Sequence, residues 1–330
     1  MKRKVLITGG AGFIGCALGA AFAESEDQVD LLDNFARGAR DPTFSALLSH
    51  ANVRLHEIDL LRDGALANFD RDYTHIFHFA AIVGVENVLR QPYLTLRNNL
   101  LLLTPVIELA RRQKRLQRLV FASTSEVYAG SLEFLDMPIP TPETTELALM
   151  PLSHPRTSYM LSKIYGEALV CQSGLPFTIL RPHNIYGPRM GMAHVIPQLL
   201  QKAHLAAAGS SIEVFSPLHT RTFCYIDDAV RMIQSASMAD AGEGQVLNLG
   251  VEKPEITIEK LAKIIVACVG KPLSLSLAET TPGSPARRCP AMGRMKSVTG
   301  FSGQIALEDG VARTYRWYKQ HMFECVQPVA

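Results

Sequence analysis

The sequence predicts an α/β fold in which a doubly wound, parallel β-sheet domain is followed by a smaller, mixed α/β C-terminal domain. Three observations support this prediction. Short apolar runs typical of buried parallel strands recur with helical patterns between them. A glycine-rich turn directly follows the first of these runs. After Pro182 the alternation becomes irregular, and prolines and glycines are scattered through loops.

The predicted strands follow one another along the chain, each separated from the next by a loop or a helical pattern. They are Val5–Thr8, Val29–Leu32, Val53–Glu57, His75–Phe79, Arg118–Ala122 and Phe177–Arg181. Alternation of strands and helices implies right-handed crossovers and a sheet covered on both faces. We expect a first domain over residues 1–182 and a second over 183–330, with some segments of the second returning to the first.

Composition excludes several classes of protein. The 330 residues are 47% apolar and 19% charged, which excludes an intrinsically disordered or low-complexity chain. The formal net charge of +2 gives no reason to expect a nucleic acid or a membrane as partner. The 6 cysteines form no CxxC pair, and the 10 histidines form no HExxH motif, so we expect neither a disulfide framework nor a metal site.

The N-terminus superficially resembles a secretory signal, with a basic Lys2–Lys4 flank before an apolar stretch. Glycines interrupt that stretch, however, and it is better explained as a strand, a glycine-rich turn and a small-residue helix over Phe13–Ala23. No run approaches the ~18 apolar residues that span a bilayer. We therefore expect a cytoplasmic protein.

The segment TGGAGFIG at 8–15 lies where a strand ends and a helix begins. Gly9, Gly12 and Gly15 permit a tight turn, close approach of the backbone to a pyrophosphate, and close packing of helix on strand. The helix N-terminus then faces the anion. This context predicts a dinucleotide-binding site.

The next predicted strand is followed by Asp33, whose carboxylate can accept hydrogen bonds from an adenosine ribose and repels a 2′-phosphate. This favours NAD over NADP, although Arg37 is close enough in sequence to receive a phosphate. Asp59 follows the third strand and has two interpretations, a contact to the adenine amino group or a helix N-cap.

Tyr159 and Lys163 are spaced one helical turn apart, on the same helix face. A nearby ammonium group stabilises a phenolate, so we expect Lys163 to lower the pKa of Tyr159 toward that of a general base. Upstream, hydroxyls and a carboxylate in Ser123–Glu126 follow the strand that ends at Ala122, where a nicotinamide would lie. Together these features predict proton relay and hydride transfer.

Six motifs in order give the chain a resemblance that covers nearly its whole length. They are TGGAGFIG at 8–15, HFAA at 78–81, STSEVY at 123–128, YMLSK at 159–163, RPHNIYGP at 181–188 and RTFCYIDD at 221–228. The chain resembles the extended short-chain dehydrogenases/reductases, specifically the NAD-dependent sugar-nucleotide epimerases, dehydratases and decarboxylases. The resemblance implies a Rossmann domain that binds NAD and a C-terminal domain that binds a nucleotide sugar, with a UDP-sugar favoured.

The resemblance also implies roles for individual residues. Tyr159 would be the base on the sugar C4 hydroxyl, Lys163 would hold the nicotinamide ribose, and Thr124 would hydrogen-bond the reacting oxygen; Ser125 and Glu126 complete the candidate catalytic set. The implied NAD contacts are Gly9, Gly12, Phe13, Ile14, Gly15, Asp33, Asn34, Asp59, Leu60, Ala80, Ala81, Asn99, Ser123, Tyr159 and Lys163. The implied substrate contacts are Arg156, Asn184, Arg221 and Arg288, with Arg287 as an alternative to Arg288.

Neighbouring residues favour one reaction among those of the family. Dehydratases carry Asp-Glu where this chain has Ser125-Glu126, and serine is a poor acid, which disfavours 4,6-dehydration. Simple 4-epimerases need no acid at Glu126. The Thr-Ser-Glu-Val-Tyr pattern and Arg156 match UDP-glucuronate decarboxylases, although Ala129 replaces that family's glycine. We therefore place decarboxylation first, 4-epimerisation of UDP-glucuronate or UDP-glucose second, and dehydration third.

Sugar selectivity is assigned to Met190–Ile196 and Phe215–Thr222, and the nearby His183, His194 and His219 are interpreted as loop hydrogen-bonding groups. Two hypotheses lie outside this class of enzyme. One is a non-catalytic NAD-binding module, which the retained Tyr–Lys pair disfavours; the other is a dehydrogenase that releases NADH at each turnover. The resemblance further implies a homodimer formed through the helices near Pro92–Arg112 and Tyr159–Gln172.

Overall fold

The computed structural model describes residues 2–69, 71–281 and 283–324. Its strands are β1 (Lys4–Thr8), β2 (Gln28–Asp33), β3 (Val53–Glu57), β4 (His75–His78), β5 (Arg118–Ala122), β6 (Phe177–Pro182), β7 (Ile185–Tyr186), β8 (Ser211–Val214), β9 (Thr220–Arg221), β10 (Cys224–Tyr225), β11 (Gln245–Leu249), β12 (Ile256–Thr257), β13 (Ser274–Leu277) and β14 (Arg287–Arg288).

The helices alternate with these strands through the first part of the chain. They are α1 (Phe13–Glu24), α2 (Pro42–Leu48), α3 (Val85–Arg90), α4 (Pro92–Arg111), α5 (Ala129–Phe134), α6 (Thr157–Cys171), α7 (Val195–Leu205), α8 (Ile226–Met238), α9 (Ile258–Val269), α10 (Gly293–Thr299) and α11 (Leu307–Tyr318). Short 3₁₀ segments span Ser125–Tyr128 and Asp240–Gly242, and a π-helical turn spans Lys319–Phe323.

A 7-stranded sheet forms the centre of the molecule, in the order β11-β6-β5-β4-β1-β2-β3. All of its strand pairs are parallel. The order reverses direction between β1 and β4, which is the position where doubly wound sheets bind ligands at their carboxyl edge. The predicted Rossmann-type α/β fold is confirmed, together with all six predicted strands.

Helices cover both faces of the sheet, and alternate residues of β1 show how the core is divided. Val5 and Ile7 are fully buried in the cluster that includes α1 and α8, whereas Leu6 is buried on the opposite face with Leu103 and Val106 of α4. A strand buried on both faces reads as a continuous apolar run, which explains the sequence of β1.

Beyond residue 182 the chain forms short two- and three-stranded sheets, but one segment returns to the main sheet. β11 pairs in parallel with β6, and α8 packs against β5, β6 and α1. The irregular sequence around β11 did not predict this strand. The division at residue 182 stays a prediction, with β11 as a returning segment.

Two further features bear on the predictions from composition. Cys16, Cys171, Cys224, Cys268 and Cys289 are free thiols, while Cys325 lies outside the described residues. Within residues 2–69, 71–281 and 283–324, no helix combines the length and apolar character needed to traverse a bilayer.

Candidate active site

The glycine-rich turn after β1 has a geometry that only glycine permits at two positions. Gly9 has φ +71°, and a Cβ there would lie 2.8 Å from the backbone nitrogen of Ala80. A Cβ on Gly15 would overlap the carbonyl oxygen of Gly9. The Gly12 N–H donates to Gly9 O at 3.0 Å, and within the described part of the chain no side chain caps the N-terminus of α1. The first-turn amides of Phe13 and Ile14 therefore belong to an uncapped helix end suited to an anion.

Asp33, the last residue of β2, is fixed beside this turn. Its carboxylate accepts hydrogen bonds from the N–H groups of Ala11 at 2.9 Å and Phe35 at 2.8 Å. Each carboxylate oxygen keeps a second lone pair, which leaves acceptors for ribose hydroxyls. Asn34 is exposed and accepts from the Ala36 N–H in a local turn.

Arg37 is the residue whose position in the sequence kept NADP as an alternative cofactor. Its Nη1 donates to the carbonyl oxygen of Val83 at 3.0 Å, in the loop after β4. Its positive charge is close enough to Tyr159 to favour ionisation of that hydroxyl. The Arg37 guanidinium therefore lies on the side of the site where Tyr159 is found.

The other predicted cofactor contacts lie along the same edge of the sheet. Asp59 accepts from the Leu61 N–H at 3.0 Å in a local turn, and residues 60–68 form turns rather than a helix, so the N-cap interpretation of Asp59 is wrong. Leu60 is buried in the core. The half-buried Ala80 and Ala81 follow β4, and the Ala80 N–H donates to Thr8 Oγ1.

Asn99 on α4 binds the loop after β4 through both ends of its amide. Its Oδ1 accepts from the Ile82 N–H at 2.7 Å, and its Nδ2 donates to Ile82 O and to Ser162 Oγ, each at 3.1 Å. Ser162 Oγ donates in turn to Tyr159 O at 2.7 Å. Asn99 therefore couples the loop at the cofactor edge to the helix that carries Tyr159.

Tyr159, Thr124 and Glu126 come together at the carboxyl end of β5. Thr124 Oγ1 accepts from the Glu126 N–H at 3.2 Å, which leaves the Thr124 hydroxyl proton to donate to Tyr159 Oη. Burial raises the pKa of Tyr159 to about 12, and the Glu126 charge also raises it, against the lowering effects of the Thr124 hydrogen bond and Arg37.

Lys163 lies one turn further along α6, as predicted, but its ammonium group has another partner. Nζ donates to the carbonyl oxygen of Ala122 at 2.7 Å and lies 4.9 Å from the centre of the Phe121 ring. Burial lowers the pKa of Lys163 to about 8. The expectation that Lys163 lowers the pKa of Tyr159 is not met in this arrangement, because burial of the phenol outweighs its polar partners.

Ser123, a predicted cofactor contact, is turned into a buried network beneath the site. Its Oγ donates to Glu167 Oε1, and Glu167 forms a bidentate pair with Arg181 at 2.7 and 2.9 Å. Arg181 Nη1 also donates to Tyr128 Oη at 2.8 Å. This buried network links the carboxyl ends of β5 and β6 to α6, beneath the candidate catalytic residues.

Glu126 is held between two guanidinium groups from distant parts of the chain. Arg156 Nη2 donates to Oε2 at 3.1 Å, and Arg288 Nη2 donates to Oε1 at 2.9 Å. Burial alone raises the pKa of Glu126, but the charges and hydrogen bonds of Arg288 and Arg156 outweigh it and hold the pKa below its usual value. Arg287 instead forms a bidentate pair with Glu255, outside this cluster.

The remaining predicted substrate residues tie loops together near the same cluster. Asn184 has φ +42° and donates from Nδ2 to Thr222 O at 3.0 Å. Arg221 is buried, lies in register with Arg288, and donates to the carbonyl oxygen of Pro285. Ser125 lines a small cavity next to Arg288.

Arg189 is a residue of the site that the sequence did not reveal. Its guanidinium donates to the carbonyl oxygens of Ala11 at 3.1 Å, Gly12 at 3.2 Å and Ala39 at 3.0 Å, and pairs with Asp41 at 2.6 Å. Its place immediately before the predicted selectivity segment Met190–Ile196 is the one sequence signal that could have drawn attention to it.

Three features lie along one edge of the sheet: the glycine-rich turn, the acidic residue that ends β2, and the helix with Tyr159 and Lys163. Known proteins share this combination of features. The sequence profile of the NAD dependent epimerase/dehydratase family matches residues 5–250. The chain belongs to this family.

Relatives in the epimerase/dehydratase family align with almost the entire chain. A UDP-N-acetyl-α-D-glucosaminuronate decarboxylase of Bacillus cytotoxicus is 29% identical over 97% of this chain and 99% of its own length. UDP-glucuronic acid decarboxylase 1 of Xenopus tropicalis is 28% identical over 97% of this chain and 73% of its own. The structure of a UDP-glucuronic acid 4-epimerase from Bacillus cereus, in complex with UDP-glucuronic acid and NAD, is 26% identical with a TM-score of 0.79, covering 96% and 99% of the two chains.

NAD is the cofactor of this epimerase/dehydratase family member, and the residues present fit it. Glycine at position 9 lets the backbone approach Ala80 more closely than a Cβ would permit, and the uncapped amides of α1 suit the pyrophosphate. Asp33 presents free lone pairs toward a ribose. When bound, NAD supplies reversible hydride transfer at a substrate carbon. Thr124 and Tyr159 can then move a proton at the same carbon's oxygen, with Lys163 as a neighbouring cation.

Proposed function

We propose that this enzyme decarboxylates a UDP-linked uronic acid, UDP-glucuronate first among candidates, through transient oxidation at C4. The observation that carries the proposal is the Glu126 carboxylate between Arg156 and Arg288, close enough to Tyr159 to raise its pKa. Two guanidiniums at one site are suited to a substrate carboxylate. The names of the Bacillus cytotoxicus and Xenopus tropicalis relatives support the same reaction.

The proposed reaction begins at the C4 hydroxyl of the sugar. Tyr159 would act as the phenolate, which the Thr124 hydrogen bond and the Arg37 charge favour, and take the proton of the sugar C4 hydroxyl. The hydride-transfer chemistry that bound NAD would supply then makes C4 a ketone. The ketone lies β to the C6 carboxylate; the C5–C6 bond breaks, its electron pair enters the C4–C5 enolate, and CO2 departs. A proton is added at C5, hydride returns to C4, and Tyr159 returns its proton to the oxygen. The cofactor leaves the cycle unchanged.

Glu126 acts in this scheme through its two arginine partners. A substrate carboxylate competes with Glu126 for Arg156 and Arg288, because both are anions that pair with a guanidinium fork. Once those partners turn to the substrate, burial becomes the dominant influence on Glu126 and raises its pKa. Glu126 then takes up a proton from solvent and, as a carboxylic acid, can donate it to C5 of the enolate.

UDP-glucuronate 4-epimerisation is the second candidate. It needs the same Thr124 and Tyr159 chemistry, and the Bacillus cereus structure with UDP-glucuronic acid and NAD has a TM-score of 0.79 to this chain. Epimerisation differs in that the 4-keto sugar keeps its carboxylate and turns its other face to the hydride. The mass of the product separates the two reactions.

The decisive experiment is mass spectrometry of UDP-glucuronate, and separately of UDP-N-acetylglucosaminuronate, incubated with the purified protein and NAD. Loss of the mass of CO2 from either supports decarboxylation. An isomeric product of unchanged mass would replace the proposal with 4-epimerisation. Unchanged substrate in both would contradict the uronic-acid assignment and direct the search to neutral nucleotide sugars.

A matched pair of variants on α6 tests whether the site is catalytic. We expect Tyr159→Phe to lower kcat by about 10²–10⁴-fold with NAD still bound, because the proton-transfer group is lost. Tyr165→Phe, on the same helix, removes a hydroxyl but keeps the aromatic ring on the outer face of α6, so it should leave kcat unchanged. Full activity of Tyr159→Phe would revive the hypothesis that the Tyr–Lys pair is not used.

We also propose that the enzyme is a homodimer formed through α4 and α6, which pack against each other. These helices carry large apolar side chains that are well exposed: Tyr93 (72%), Leu101 (42%), Tyr165 (58%) and Leu169 (41%). An apolar surface of this kind is typical of an obligate interface. We expect light scattering to give twice the mass of the 36.2 kDa chain, and Leu101→Glu to give a monomer. A monomeric wild-type protein would contradict this.

We place this reaction in the cytoplasm. Free thiols at Cys16, Cys171, Cys224, Cys268 and Cys289 support a reducing compartment. Fractionation of the native host with an antibody to the protein tests this assignment.

A further inference from the structure

His183, directly after β6, is a buried histidine. One of its ring nitrogens makes a hydrogen bond, and the other has no hydrogen-bond partner among the described residues. Its side chain is 1% exposed, and its backbone N–H donates to Leu249 O at 2.8 Å. Nε2 lies 3.1 Å from Asn248 Oδ1. Nδ1 is buried and has no hydrogen-bond partner among residues 2–69, 71–281 and 283–324.

The surroundings of Asn248 determine which ring nitrogen carries the proton. Its Nδ2 donates to Thr141 O at 2.9 Å and to Ala291 O at 3.2 Å, which identifies Oδ1 as the acceptor. Tyr128 Oη donates to that same oxygen at 3.0 Å. Because Asn248 Oδ1 can only accept, His183 Nε2 must be the N–H donor. Nδ1 is then left with a free lone pair.

The imidazole is neutral, so this lone pair stays available. Burial, followed by the positive charge of Arg288, lowers the pKa of His183 to about 3. A buried acceptor without a partner costs free energy, and natural proteins keep few of them. The fold therefore keeps His183 Nδ1 as a buried acceptor, and a bound molecule would have to supply its hydrogen-bond donor.

The ring of His183 lines a cavity shared with the candidate active site. Ser125 and Arg288 line the same cavity, and half-buried Leu132 and Met137 form part of its wall. Its free volume of about 10 Å³ is the size of a single water or hydroxyl group. A sugar placed beside Glu126 needs to insert only one substituent, and the flexible side chain of Met137 in the cavity wall can adapt to it.

We propose that His183 is a substrate-binding residue whose Nδ1 accepts a hydrogen bond from a donor on the sugar ring, a hydroxyl or an acetamido N–H. This inference rests on the proposed function, because it requires a nucleotide sugar in the cleft. His183 thereby contributes to recognition of the sugar and leaves binding of the nucleotide unaffected. Its role goes beyond the loop hydrogen bond predicted for it from the sequence.

Two substitutions separate the two nitrogens of the ring. In His183→Gln the side-chain Nε2 can still donate to Asn248, while the acceptor at the Nδ1 position is lost. In His183→Asn the Oδ1 atom stands near the Nδ1 position, while the donor to Asn248 is lost. Calorimetric titration of the NAD-loaded protein with UDP, UDP-glucuronate and UDP-N-acetylglucosaminuronate then isolates the sugar contribution.

We expect His183→Gln to weaken binding of a UDP-uronate about tenfold with UDP binding unchanged, and His183→Asn to bind within about threefold of wild type. Equal affinities of His183→Gln and wild type would overturn the inference while leaving the proposed function intact. Failure of wild-type protein to bind or convert either UDP-uronate would overturn both. The sugar whose affinity falls identifies the donor as hydroxyl or amide.

A measurement on unsubstituted protein keeps the inference testable if a variant does not fold. In ¹⁵N-labelled wild type, a histidine nitrogen with a free lone pair resonates far downfield of a protonated one. We expect the His183 Nδ1 signal to move upfield on addition of UDP-glucuronate and to stay in place on addition of UDP. An unmoved signal with bound UDP-glucuronate would overturn the inference.

Discussion

Arg189 donates a hydrogen bond from Nη1 to the carbonyl oxygen of Gly12 at 3.2 Å, and thereby joins the β7–α7 loop to the glycine-rich turn after β1. The contact is well buried, because the Arg189 side chain is only 6% exposed. The same guanidinium binds Ala11 O, Ala39 O and the Asp41 carboxylate. A chain segment outside the first domain predicted from the sequence therefore holds the turn that is predicted to bind the cofactor.

Arg189→Lys should weaken NAD binding. An ammonium group can keep the pairing with Asp41 but cannot bridge three carbonyl oxygens in one plane, so the turn loses its brace. We expect about a tenfold rise in the Kd for NAD, measured by calorimetry. Arg313→Lys, at an exposed ion pair with Asp227, is the control and should bind NAD as wild type does. If both variants bound NAD with the same Kd, the contacts of Arg189 with the glycine-rich turn would not be needed for NAD binding.

Arg288 and Arg287 are adjacent in sequence and should behave in opposite ways. Arg288→Met removes a partner of the half-buried Glu126, and we expect kcat/KM with UDP-glucuronate to fall about 100-fold. Arg287→Met breaks the pair with Glu255, and the Arg287 side chain is 50% exposed. Arg287 also lines the cavity beside Arg288, but its guanidinium pairs with Glu255 and not with Glu126, so we expect kcat/KM to stay within about threefold of wild type. Steady-state kinetics of the two variants decide between them; equal losses would place Arg287 in the site as well.

Gly15→Ala should destabilise the protein and impair NAD retention. The added Cβ overlaps the carbonyl oxygen of Gly9, a backbone atom that cannot move aside without disturbing the turn. We expect a loss of about 2 kcal/mol in the free energy of unfolding, measured in urea. Gly293→Ala is the matched control, since no atom lies within 4 Å of its added Cβ, and it should unfold at the same or slightly higher urea concentration. A fully stable Gly15→Ala protein would argue against this packing.

Acid should destabilise the fold through His78. Burial, then the charge of Lys163, lowers its pKa from 6.5 to about 3. Between these values the unfolded chain binds a proton that the folded chain does not, so stability falls as the pH drops below 6.5. From about pH 7 to pH 5 this one group should cost about 2 kcal/mol.

The measurement is the difference in unfolding free energy between those two pH values for wild type and His78→Gln. Gln does not titrate, so the variant should show a pH dependence smaller by that amount, whatever its absolute stability. His50→Gln, at an exposed position, should retain the wild-type pH dependence. An unchanged slope in His78→Gln would mean that other groups account for the acid sensitivity.

Features with a local physical cause could be predicted from the sequence. Strands β1 and β5 are buried on both faces and therefore appear in the sequence as short apolar runs. The edge strand β3 is partly exposed, and its apolar Val53 and Leu55 alternate with polar residues. The turn at Gly9 needs a residue that tolerates positive φ, and the helix period brings Tyr159 and Lys163 to one face. These requirements act within a few residues, and for that reason they leave a visible pattern.

Other features arise from contacts between residues far apart in the chain, and no local pattern encodes them. β14 pairs with β9, and this register directs Arg288 to Glu126 and leaves Arg287 with Glu255, although the two arginines are indistinguishable in sequence. Burial of the phenol sets the pKa of Tyr159, and a carbonyl oxygen rather than the phenol engages Lys163. The bare nitrogen of His183 and the brace from Arg189 likewise depend on desolvation and on partners brought near by folding.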